Sequence, residues 1–132
     1  HLKRALAPLR ETGISILWHS DGYITPIASA LVEAGADGFQ GLQEKTDTKV
    51  DVHELDALRT LSGRRPVFVG SISSTTTMPF GTPDAVRDEV ARWREFAIER
   101  GGGVLLNVSS SLGPEVPEAN IAAFYEEARH GY

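Results

Sequence analysis

Four times in 132 residues a short run with apolar residues gives way to a loop and then to a segment of helical period. The runs are Ile14 to Trp18, a glycine-loosened Ala36 to Gln43, Val67 to Ile72 and Val104 to Val108. Such runs read as short strands, and the first, third and fourth are apolar enough to be buried on both faces. With a helix ahead of the first strand, the order is αβαβαβαβα. This alternation predicts a parallel sheet with right-handed crossovers. Two α/β architectures satisfy it: a small open doubly wound domain, or four consecutive βα units of an eight-stranded barrel. The second leaves two strand edges that a missing half or a second copy must cover. A fragment of that kind, standing alone, is expected to be a homo-oligomer.

The helices carry their own punctuation. Residues 2 to 12 present Leu2, Leu6 and Leu9 on one face, with Pro8 limiting regularity and Gly13 ending the turn. Thr25-Pro26 reads as an N-cap followed by proline at the first helical position, with Ile27, Ala30, Leu31 and Ala34 on the inward stripe and Gly35 closing it. Asp51 caps a third helix with Val52, Leu55, Leu58 and Leu61 as its apolar face. Thr82-Pro83-Asp84 repeats the cap-proline signature and opens the longest helix, where Val86, Val90, Trp93 and Ala97 recur at helical spacing. Gly101-Gly102-Gly103 ends it; because the triplet precedes a strand, a phosphate-loop reading is rejected. Pro117 starts the last helix, with Ile121, Phe124, Tyr125 and Ala128 expected inward.

The stretch that carries chemistry is Trp18-His19-Ser20-Asp21-Gly22. It falls between the first strand's carboxyl end and the next helix, where ligands bind in βα folds. An imidazole and a carboxylate two residues apart either bind a metal or share a proton; the competing reading is a capped turn with a hydrogen-bonding His. Gln43 and Glu44 follow the second strand, with a solvated loop as the plain alternative, and Asn107 and Ser110 follow the fourth, with local turn bonding as theirs. With no cysteine in the chain, neither disulfides nor thiolate ligands are available. The net charge of −5 and the absence of a basic cluster argue against nucleic acid as a partner. No signal peptide or membrane-spanning run is present, so a cytoplasmic location is expected, with no membrane partner. The chain opens on His1-Leu2-Lys3-Arg4 without methionine, and is therefore read as part of something longer.

Four segments in register resemble the uroporphyrinogen decarboxylase (URO-D) superfamily. They are His19-Ser20-Asp21-Gly22 with Thr25-Pro26-Ile27; Glu33-Ala34-Gly35-Ala36-Asp37-Gly38; Gly81 through Val90; and Pro114 through Ile121. That superfamily includes uroporphyrinogen decarboxylase and the methyltransferases that move methyl groups between corrinoid proteins and thiols such as coenzyme M. The resemblance covers nearly the whole chain and implies the C-terminal half of a TIM (β/α)8 barrel, residues 1–132 forming one domain. His19 with Gly22 is similar to the methyltransferase pattern His-x-Cys-Gly, whose His and Cys ligate zinc. Here Asp21 takes the place of the first Cys, and Ser110 stands where the second is found. In the decarboxylases the same exit loop carries a His, again replaced by Ser110.

The resemblance therefore implies an enzyme domain, with a methyltransferase-like member favoured. His19 and Asp21 are its catalytic candidates, and Gln43, Asn107 and Ser110 its substrate-binding candidates. His19, Asp21 and Glu44 would form a nitrogen/oxygen site for zinc or another divalent metal. A corrinoid protein is the implied methyl donor and a small molecule the substrate. The alternatives are uroporphyrinogen decarboxylation, which needs no cofactor, and a non-catalytic α/β binding module. Asp51-Val52-His53 is similar to the Asp-x-His-x-x-Gly of corrinoid-binding domains, but Asp56 fills the glycine position and His53 falls in a first helical turn, so a cobalt ligand is not expected there.

Overall fold

A computed structural model describes residues 1–42, 44 and 50–130. In it the chain divides into two compact units, His1–Phe68 and Val69–Tyr132. The first holds α1 (Leu2–Glu11), β1 (Leu17–His19), α2 (Ala28–Ala34), β2 (Gly38–Gln40) and α3 (Val52–Asp56). The second holds α4 (Thr77–Phe80), α5 (Pro83–Glu99), β4 (Val104–Leu105) and α6 (Glu118–Ala128). The remaining strand, β3 (Val67–Val69), spans the boundary. The strands form one parallel sheet in the order β1-β2-β3-β4. Consecutive strands are thus neighbours, as successive barrel units require, and the strand-order reversal of a doubly wound domain is not seen.

In the first unit, β1 and β2 pair in parallel with Leu17, Trp18 and His19 opposite Gly38, Phe39 and Gln40. Asp37 fixes this register from below: its carboxylate accepts from the Ile16 amide at 2.9 Å and from Arg10 at 3.1 Å, while its own amide donates to Ile16 O at 2.7 Å. The Val67 amide then donates to Asp37 O at 2.9 Å, bringing in β3. Phe39 stacks against Phe68 with centroids 6.4 Å apart, both rings fully buried.

The first strand is shorter and wetter than its composition predicts. Ile16 is buried, but Ile14 is 53% and Leu17 46% exposed. An edge strand has a neighbour on one side only, and no residue of α1 is buried, so that helix does not seal the surface beside it. Thr25 also departs from expectation. A 3₁₀ turn, Thr25–Ile27, precedes α2, and the Thr25 hydroxyl caps nothing. The inward face of α2 is Ala28, Leu31, Val32 and Ala34, and Ile27 points outward. Gly35 closes the helix as expected, in the left-handed region at φ +120°. Asp51 caps α3 as expected, accepting from His53 N at 2.8 Å; this is the helix-start role that excluded His53 as a cobalt ligand. Leu61 is exposed because α3 stops at Asp56.

In the second unit, α5 follows its pattern. Thr82 accepts from Ala85 N at 3.2 Å, and Val86, Val90, Trp93 and Ala97 are buried. Packed beside it, α6 is rotated from the expected face. Asn120, Ala123 and Phe124 are buried, while Tyr125 is 57% exposed with its ring edge-on to Phe124. The buried Asn120 amide donates to Met78 O at 2.8 Å and Gly81 O at 2.9 Å, tying α6 to α4 and the turn after it. Two carbonyls would lose their partner in Asn120→Ala, so that variant is expected to lose about 1–3 kcal/mol of stability, checked by urea denaturation. Among the described residues no helix is long and apolar enough to cross a membrane.

Candidate functional site

His19 is the last residue of β1, and the ladder continues one step past it, with Ser20 N donating to Gln40 O at 3.0 Å. The chain then turns sharply, the Ser20 hydroxyl accepting from Gly22 N at 3.1 Å. This turn folds Asp21 back beside His19, placing Oδ2 3.7 Å from Nε2. Each side chain is 49% exposed, which leaves the pair open to a substrate from solvent. The spacing is slightly longer than a hydrogen bond, a common state of acid–base pairs before substrate closes on them.

Gly41 supplies the seat for the ring. It lies in the left-handed region at φ +87°, and a Cβ there would stand 2.8 Å from Ser20 O and 3.0 Å from His19 Cε1. Glycine is needed on both counts, the backbone conformation and the close approach. Gly41→Ala is expected to cost about 1–3 kcal/mol through strain. It should also displace the imidazole, shifting the His19 Hε1 resonance more than those of other histidines in a proton–carbon NMR spectrum.

The other candidates distribute as follows. Glu44 lies in a turn after β2 and is half-buried; Gln43 lies outside the described residues. In the second unit, Asn107 Oδ1 accepts from the adjacent Val108 N at 2.9 Å, which is the local turn bond its residue type favours. Ser110 is half-buried. Its neighbour Ser109 is the residue drawn into the fold, fully buried, with Oγ 3.0 Å from both the amide and the hydroxyl of Ser74. That contact joins the carboxyl-end loops of β3 and β4, reinforced by the Ile72–Val108 parallel bridge.

Sequence reasoning missed a further anchor in that loop. Glu89, 3% exposed on α5, accepts from the Ser73 amide at 3.2 Å, while the Ser73 hydroxyl accepts from Thr76 N and Thr76 Oγ1. A signal was there to use: Glu89 falls on the Val86/Val90/Trp93 stripe, and a carboxylate on an apolar face needs a buried partner.

The metal expectation can be tested by its donors. Among the described residues no group of three His, Cys, Asp or Glu side chains could hold a metal ion. His19 and Asp21 supply two donors, short of the three protein ligands of a catalytic zinc centre. The described side chains therefore do not fit such a site, and no step is assigned to a metal.

A parallel βα sheet whose consecutive strands are neighbours is the arrangement of successive units of a βα barrel. Residues 1–131 match the family model for uroporphyrinogen decarboxylase (URO-D), and the chain belongs to that family. No curated protein matched the chain, and no solved structure did.

Proposed function

We propose that this chain is the C-terminal half of a URO-D family barrel, and that the whole protein is a cytoplasmic, methyltransferase-like enzyme acting on a small methylated or methyl-accepting compound. The observation that carries the reading is the half-exposed His19–Asp21 pair, 3.7 Å apart at the carboxyl end of β1. We assign activation of the accepting group to proton transfer at this pair. The His19 ring nitrogen that does not face Asp21 takes the proton from the acceptor as the acceptor's lone pair attacks the methyl carbon, and Asp21 stabilises the imidazolium. The donor keeps the electron pair of the broken bond, as a methyl-bearing corrinoid protein does. Gln43, Asn107 and Ser110 follow strand carboxyl ends and are assigned to substrate contact. This chain by itself is expected to cover its sheet edges with a second copy.

The second reading is uroporphyrinogen decarboxylation, a reaction that needs no cofactor. The full-length protein, offered methylcobalamin with coenzyme M and, separately, uroporphyrinogen, decides between them. Demethylation of the cobalamin with thiol consumption supports the first reading; carbon dioxide release from the porphyrinogen replaces it with the second.

A further inference from the structure

At the opposite end of the strands from His19, the first unit holds an open cleft of about 120 Å³. Its walls include Ser15 before β1, Asp37 before β2 and Val67 at the start of β3, with Arg64 and Arg65 from the loop that leads into β3. That is below the range of pockets that enclose a whole drug-sized ligand, and leaves room for a small ion or one end of a larger molecule.

The polar groups of the cleft fall into two sets, those already satisfied and those that are not. Asp37 is neutralised by Arg10 and the Ile16 amide. Arg65 is paired with Asp56 at 3.1 Å. Thr60 closes its own loop, its amide and hydroxyl both donating to Arg64 O. Arg64 is different. Its Nε donates to the Ser62 hydroxyl at 3.2 Å, which is itself 3.0 Å from the Thr60 hydroxyl, so the guanidinium is held at its stem. Its two Nη groups have no partner among the described residues, nor has the Ser15 hydroxyl.

A guanidinium fixed through Nε, on the wall of an open polar cleft, keeps its two terminal nitrogens for bidentate capture of an oxyanion. Arg65 is compensated by Asp56 and the Asp37 carboxylate by Arg10, which leaves the Arg64 charge to set the sign of the cleft. The geometry points to this cleft as a binding site for a phosphate group, free or carried on a small molecule, remote from the His19–Asp21 pair. Arg64 is the principal ligand, Ser15 contributes a hydroxyl, and Ser62 orients the guanidinium.

The test is a titration of the full-length protein with inorganic phosphate, glycerol 3-phosphate and acetate, followed by NMR and by thermal melting. Saturable shifts at Ser15, Arg64 and Val67, with a rise in melting temperature, are expected for one or both phosphates. A larger effect of glycerol 3-phosphate than of inorganic phosphate identifies a phosphorylated small molecule as the occupant; the reverse identifies the free ion. Arg64→Ala should weaken the binding by about tenfold or more, since it removes a charged hydrogen-bonding partner, and Arg64→Lys should recover part of it. Arg64 is exposed, so neither variant should affect folding. His19→Ala should leave phosphate binding unchanged. Three results would overturn the assignment: no saturable phosphate binding, binding by Arg64→Ala equal to wild type, or acetate binding as tightly as both phosphates.

Discussion

Replacing His19 with Ala should lower turnover by the full-length enzyme about 10²- to 10⁴-fold, the span that a positioned general base supplies. The folded state should hardly notice. His19 is half exposed, and its backbone bonds to Gln40 survive the substitution, so stability should stay within about 0.5 kcal/mol of wild type. Asp21→Asn keeps the shape but removes the charge that stabilises the imidazolium, and its loss should be smaller than that of His19→Ala. The rate constants and a denaturation curve must be read together. A large rate loss with unmoved stability is the signature of a reacting group. A rate loss that scales with destabilisation would reduce His19 to a structural residue.

The second large effect is on stability. Trp93 is fully buried on α5, edge-on to Phe96 at 5.7 Å, with the Arg92 guanidinium 5.7 Å from its ring centre. Trp93→Ala empties the largest buried side chain of the molecule and is expected to cost about 3–5 kcal/mol. That is a large fraction of the total stability of an ordinary domain. Urea unfolding monitored by far-ultraviolet circular dichroism measures it. A cost below about 1 kcal/mol would mean that the site collapses around the missing ring, against the close packing the structure shows.

The same two residue types met opposite outcomes at two helix starts, and the contrast shows what a sequence can specify. Thr82-Pro83 opens α5 as its signature predicts because Thr82 is extended, at φ −83° and ψ 161°, which lets its hydroxyl reach the Ala85 amide. At Thr25-Pro26 the preceding residue, Ile24, already has helical angles, so a 3₁₀ turn intervenes and the hydroxyl has no amide to accept from. The signature is local; the path by which the chain enters the turn is not.

Burial was legible where one dense apolar stripe dominates, as on α5, and misleading where polar and apolar residues compete. On α6 the buried place expected for Tyr125 is taken by Asn120, because two carbonyls at Met78 and Gly81 need a donor more than the core needs a phenol. The alternation of strands and helices gave the parallel order of the sheet, and the strand-end position of His19 and Asp21 gave their pairing. The glycine beneath the ring at position 41, and the ties from Glu89 to Ser73 and from Ser74 to Ser109, come from tertiary contacts that no spacing encodes.

The central claim, that His19 moves a proton in the reaction, is tested most directly by adding imidazole to the His19→Ala enzyme in the methyl-transfer assay. If the side chain acts as a base, free imidazole should restore part of the lost rate in proportion to its concentration, with no effect on wild type. A His19→Ala enzyme that stays equally slow at every imidazole concentration would contradict it.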